Sequence, residues 1–238
     1  MFTEIFAGEG QLWGLTGRGH LVDVEPATGR LRRHQLRTAC GPLAYPSGGV
    51  RMGKLWLSCN RSIAAYAPAG KRPEVVGALR SRALLASTQG VWGTQGHTLV
   101  GIAGTARGKR IDLPRALTPA QWRTAGDEAW ALDLNSGARL IRAHLASGIV
   151  HPFKLAIGAG LIDALAVNRN GLWVTLEKRP VLLRFSRLHP RRALSRIALS
   201  QTMKPGNLQT FLTAGASYLW VTLFAHKEME LLRATVRK

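Results

Sequence analysis

The sequence predicts an all-β, six-bladed β-propeller with about 40 residues per blade, and three observations lead to that class. Six of the seven tryptophans share one local frame: GQLWGLT at Trp13, GKLWLSC at Trp56, GVWGTQ at Trp92, EAWALDL at Trp130, GLWVTL at Trp173 and YLWVTL at Trp220. They recur at intervals of 43, 36, 38, 43 and 47 residues, with only Trp122 outside the pattern. Apolar residues around each frame alternate with polar ones, which is the period of a half-buried strand and not of a helix. Short breaks rich in glycine separate these stretches, as hairpins require.

The elements follow in order within each unit. A short stretch such as RALLASTQG or LIDALAVNRNG precedes the tryptophan strand. After it come a polar break, an alternating strand, a turn and another short strand. GHLVDVEP, Ala27-Thr28-Gly29 and RLRRHQL play these parts in the first unit; ARLIRAHL, Ala146-Ser147-Gly148 and IVHPFKL play them in the fourth. Four strands per unit place the blades near residues 1–41, 42–79, 80–115, 116–157, 158–201 and 202–238 of one propeller domain. A four-stranded blade cannot cover its own two faces, so stacking neighbours buries them, with each tryptophan wedged between blades. A β-sandwich shows no such recurrence, and a helical solenoid fails on the apolar period. The last unit runs through YLWVTLFA and MELLRATV without a fourth strand. Three endings stay open: a three-stranded last blade, an outer strand supplied by the N-terminal MFTEIF, or a chain that is a fragment.

Composition bounds the partners more than the fold. With 238 residues and 46% hydrophobic content the chain can bury a substantial core, and its mean hydropathy of -0.01 is ordinary for a soluble globule, expected to be a monomer. No run reaches the roughly 18 apolar residues of a transmembrane helix. The opening MFTEIFAGEGQLWG lacks the marks of a signal peptide, which favours the cytoplasm. Cys40 and Cys59 permit at most one internal disulfide, and no Cys-x-x-Cys or paired-histidine spacing suggests zinc. The outlier is charge: 33 Lys+Arg against 13 Asp+Glu give +20, and the pI is near 11.5. Such a surface attracts an acidic protein or another polyanion, unless the arginine content is compositional bias alongside abundant Ala, Gly and Leu.

The frame in GLWVTLEKRPVLLRFS, LVDVEPATGRL and YLWVTL resembles the streptogramin-lyase-like and YVTN-type propellers across nearly the whole chain. That resemblance implies the propeller scaffold. For the lyases it implies an elimination that opens a cyclic depsipeptide, using a divalent metal with Glu and His on one face. A divalent metal is the only cofactor indicated, and only under that reading. The family pattern places an acidic residue at the end of the tryptophan strand in several blades. Here Glu177 stands there once, one position late, while Gly17, Asn60, Gln95 and Ala225 occupy that region elsewhere.

The strand order assigns His20, His97, Glu177, His226 and Glu228 to turns around a common rim, as candidates for a ligand or metal site. Among them His226 and Glu177 are the candidate catalytic pair. His34, His144, His151 and His189 are expected on the outer surface. There is no Gly-x-Ser-x-Gly elbow; GTARGKR lacks the spacing of a phosphate loop and reads as a hairpin turn with a basic flank. Arg30, Arg32, Arg33, Arg107, Lys109, Arg110, Arg191 and Arg192 fall around the third and fourth strands and are the candidate polyanion-binding residues, with Arg139, Arg142 and Arg187 in the same outer wall. The leading functional expectation is a non-catalytic binding or scaffold propeller that contacts an acidic partner through rim loops. The alternatives are a metal-assisted lyase or hydrolase, and a nucleic-acid binder without sequence preference acting through the arginine-rich wall.

Overall fold

Alternation and glycine turns produce β-structure alone among the described residues of the computed structural model. These are residues 2–16, 20–25, 28–35, 47–59, 62–68, 72–76, 81, 83–158, 160–177, 179–199, 209–214, 218–225 and 228–235. The chain divides into two compact units, Met1–Leu113 and Pro114–Lys238.

The first unit holds three four-stranded antiparallel sheets. The first is β1 (Phe2–Gly8), β2 (Gln11–Thr16), β3 (His20–Val24) and β4 (Leu31–Gln35). The second is β5 (Gly48–Arg51), β6 (Lys54–Ser58), β7 (Ile63–Tyr66) and β8 (Glu74–Val76). The third is β9 (Leu84–Ser87), β10 (Gly90–Gln95), β11 (Thr98–Gly104) and β12 (Arg110–Asp112). Each sheet keeps sequence order from first to fourth strand. Neighbouring sheets meet along their first strands, β1 against β5 and β5 against β9, which leaves the fourth strands outermost.

The second unit repeats the plan with β13 (Pro119–Ala125), β14 (Glu128–Asp133), β15 (Arg139–His144) and β16 (Val150–Lys154), then β17 (Ile162–Asn168), β18 (Gly171–Leu176), β19 (Arg179–Phe185) and β20 (Ala193–Ala198). Its last sheet is β21 (Gln209–Ala214), β22 (Tyr218–Ala225) and β23 (Glu228–Thr235). The expectation of six blades is therefore corrected. Five blades have four strands, and the residues around Trp220 form a three-stranded sheet instead of a sixth such blade. MFTEIF does not supply an outer strand to that last unit, because β1 is hydrogen-bonded to β2 as the first strand of the first blade.

All six tryptophans of the frame stand on second strands, and the core is built around Trp13, Trp56, Trp92, Trp130 and Trp173. Trp13 lies among Val50, Leu55 and Leu57 of the next blade, and Trp56 packs with Leu84 and Val91 of the blade after it. Trp130 packs with Leu165, Val174 and Phe185 in the same way. Trp13, Trp92 and Trp130 are fully buried, each removing a large apolar surface from water. One glycine of the frame has a backbone role as well. Gly90 opens β10 at φ 132°, and a Cβ there would lie 2.0 Å from the Ala103 carbonyl oxygen, so no side chain fits.

Ser58 and Thr94, each two residues after a tryptophan, tie down the crossover from the second blade into the third. Thr94 Oγ1 accepts from Ala83 N–H at 3.0 Å, and Ser81 Oγ accepts from Thr94 N–H at 2.9 Å. Ser58, at the matching place in the preceding blade, donates its hydroxyl to the Ser81 carbonyl. These buried hydroxyls satisfy backbone groups where the chain crosses between blades.

Candidate binding surface

In a four-stranded antiparallel blade the turn between second and third strands lies at one end. The turns between first and second, and between third and fourth, lie at the other. That geometry separates the sequence-predicted residues. His20 begins β3, His97 sits in the β10–β11 turn, Glu177 in the β18–β19 turn, and Glu228 begins β23. All four therefore occupy the second-to-third-strand end of their own sheets. His20 and His97 are exposed and Glu177 is half-buried, while His226 lies outside the described residues. Among the described residues no group of three His, Cys, Asp or Glu side chains is placed to hold a metal ion.

The basic candidates lie on outer strands or at the opposite end. Arg30 ends the turn into β4, which carries Arg32 and Arg33; Arg107 is in the β11–β12 turn, and Lys109 and Arg110 enter β12. Arg191 and Arg192 lead into β20, where Arg191 accepts at its carbonyl from Ala156 N–H at 3.0 Å. All eight side chains are exposed. None forms an ion pair among the described residues, whose salt bridges engage other cations: Arg51 with Glu9, Lys54 with Glu74, Arg139 with Asp133, and Arg142, His144 and Arg187 with Glu128.

That last group corrects part of the expected outer wall. Arg142 and Arg187 are not spread on the surface for a polyanion; they converge on Glu128, which is 7% exposed. Arg187 Nη2 lies 3.1 Å from Glu128 Oε2, and its Nε donates to the same oxygen at 3.2 Å. Arg142 Nη1 and His144 Nε2 stand 3.8 and 3.5 Å from Oε1. Trp130 Nε1 donates to Oε2 at 3.1 Å, and the Arg142 guanidinium lies over the Trp130 and Phe153 rings at 5.5 and 4.9 Å. Arg187 also donates to the Asn168 carbonyl, so the cluster clamps the fourth blade to the fifth. A local signal existed: in the first blade Gln11, two residues before Trp13, accepts from that indole at 3.1 Å, as Glu128 does for Trp130.

His34 is likewise drawn inward from its expected surface position, whereas the His144 side chain stays 42% exposed. His34 on β4 packs on Trp13 with ring centroids 5.1 Å apart. Its burial lowers the imidazole pKa, against the opposing Asp23 carboxylate and with a smaller lowering from Arg32. Cys59 is buried and disulfide-bonded.

No protein-family model matches the chain, and no curated protein matches it in sequence. Solved structures do match in fold. YCF48 bound to D1 peptide is 14% identical, with a TM-score of 0.65 over 100% of this chain and 79% of that one. The Neurospora crassa Pan2 WD40 domain is 10% identical, with a TM-score of 0.62 over 98% and 79%. Kluyveromyces lactis Hsv2p is 9% identical, with a TM-score of 0.61 over 95% and 83%. These likenesses define the chain's class as a β-propeller fold. They do not single out the streptogramin-lyase-like group, and that part of the sequence resemblance is withdrawn together with the six-blade count.

Proposed function

We propose that this propeller is a binding scaffold, not an enzyme, and that its partner is an acidic protein. The observation that carries this reading is the set of exposed arginines on the outer strands and the turns into them. Arg32, Arg33, Arg107, Arg110, Arg191 and Arg192 have no carboxylate partner among the described residues, in a chain of net charge +20. Unpaired guanidiniums at a surface attract carboxylates at long range and bind them bidentately on contact. Ser58 and Thr94, near the ends of their tryptophan strands, are engaged in backbone hydrogen bonds. The fold neighbour YCF48 is described as bound to a peptide, and the same general use is proposed here. The contact is assigned to the arginine-bearing outer strands, away from the His20, His97 and Glu177 turns.

The test is fluorescence anisotropy of labelled poly-glutamate at about 50 and about 200 mM salt, where pairing of several charges loses affinity steeply. Binding that weakens with salt, and again in R32E/R33E and R191E/R192E variants, supports the reading. Binding indifferent to these reversals contradicts it.

A further inference from the structure

Between its third and fourth strands the fifth blade carries a longer turn than the two blades before it: residues 186–192, against 105–109 and 145–149. That turn is fixed at both ends. Ser186 Oγ accepts from the Leu188 and His189 N–H groups at 3.2 and 3.4 Å. Arg187 holds Glu128 and the Asn168 carbonyl, while its own carbonyl accepts from Arg142 Nη1 at 3.2 Å. Pro190 is buried, and the Arg191 carbonyl takes the Ala156 N–H at 3.0 Å. A turn tied in this way loses little freedom when a partner binds to it.

Leu188 on this turn is nevertheless 71% exposed, more than any other large hydrophobic residue described. One exposed leucine is ordinary on a protein surface, but this one has a counterpart. Contacts run from Arg187, next to Leu188, through Glu128 to His144. The His144 N–H donates to the carbonyl of Ile149, which is 52% exposed in the corresponding turn of the fourth blade. Two open apolar side chains therefore flank one charged seam. At its centre Arg142 and Arg187 bring two positive charges to the single Glu128 carboxylate. Beside it, exposed Arg191 and Arg192 have no carboxylate partner among the described residues.

We propose that the partner docks on this seam, through an acidic segment that carries large apolar side chains among its carboxylates. This rests on the proposed binding function and adds the place and the composition of what is bound. Carboxylates of the segment pair with Arg191 and Arg192, and its apolar residues cover Leu188 and Ile149. Charge selects this occupant over a second copy of the chain, which would set Arg191 and Arg192 against their own kind.

The probes are a capped peptide repeating Glu-Glu-Leu and one of equal charge repeating Glu-Glu-Ser, titrated by anisotropy against the full chain. The leucine peptide should bind at least about tenfold tighter, the scale of burying an aliphatic side chain. That preference should fall below about threefold in Leu188→Ser, a change too exposed to disturb folding. It should persist in Leu134→Ser, which alters a 65% exposed leucine in the β14–β15 turn at the opposite end of the fourth blade. Equal binding of the two peptides, a preference that survives Leu188→Ser, or one lost equally in Leu134→Ser overturns the docking seam. In each of these cases salt-dependent binding of the Glu-Glu-Ser peptide keeps the acidic-partner reading, and its absence overturns both. A dimer that Leu188→Ser dissociates, or uptake by phosphatidylserine vesicles that needs Leu188, with no preference between the peptides, overturns the proposal in favour of a second copy or of lipid.

Discussion

Removing the Glu128 carboxylate should destabilise the second unit severely, although Glu128 belongs to no candidate binding residue set. Its side chain is 9% exposed and neutralises Arg142 and Arg187, which are 15% and 23% exposed. Glu128→Ala leaves both guanidiniums without an anion and the Trp130 indole N–H without its acceptor. Breaking a buried ion pair by removing one partner costs about 3–5 kcal/mol. Partial solvation of Arg187, and its retained bond to the Asn168 carbonyl, favour the lower end, about 3 kcal/mol. Glu128→Gln keeps an acceptor for Trp130 but also leaves both guanidiniums without an anion, so it should cost less than Glu128→Ala and still about 2 kcal/mol. Urea unfolding followed by tryptophan fluorescence measures both, and Glu128→Ala should lower the melting temperature by roughly 6–12 °C. A double-mutant cycle with Arg187→Leu should return a coupling of about 1–2 kcal/mol. A Glu128→Ala loss below about 0.5 kcal/mol would refute the clamp, since that is the scale of an ordinary surface substitution.

Other consequences follow from the same contacts. Burial against Trp13 holds the His34 pKa below its ordinary value, so the stability gained from the neutral ring is complete above about pH 6.5. It declines as pH falls from there toward the lowered pKa, and His34→Phe should remove that part of the slope in unfolding curves taken between pH 7 and about 5. Trp130→Phe should cost about 1–2 kcal/mol more than Trp92→Phe. The Trp92 indole N–H is buried without a partner among the described residues, whereas Trp130 donates to a carboxylate; equal losses in urea unfolding would contradict this. Gly90→Ala should destabilise by about 1–3 kcal/mol, because φ 132° and the Ala103 carbonyl both oppose a Cβ. An unchanged unfolding midpoint would count against that geometry.

How much could be read from the sequence depended on range. The tryptophan strand and its partners are legible because alternation and glycine turns act over a few residues. Blade number was not, since a tryptophan frame marks a second strand and carries no information about whether a fourth strand pairs. Trp220 has the frame and a three-stranded sheet. The arginines split for a similar reason. Arg32 and Arg191 are exposed as their outer positions imply, but Arg187 finds Glu128 59 residues away, across a blade boundary that local pattern cannot reveal. His20, His97 and Glu177 each lie at the second-to-third-strand turn of their own sheet. Whether turns of that kind share a ligand depends on inter-blade geometry, which spacing does not encode.

The central claim is that the acidic partner is met by the outer strands and not by the histidine-bearing turns. Amide hydrogen exchange of the chain with and without poly-glutamate, resolved by peptide mass, tests it most directly. The account predicts added protection in segments containing Arg30 to Arg33, Arg107 to Arg110 and Arg191 to Arg196. Protection confined to the turns at His20, His97 and Glu177 would contradict it.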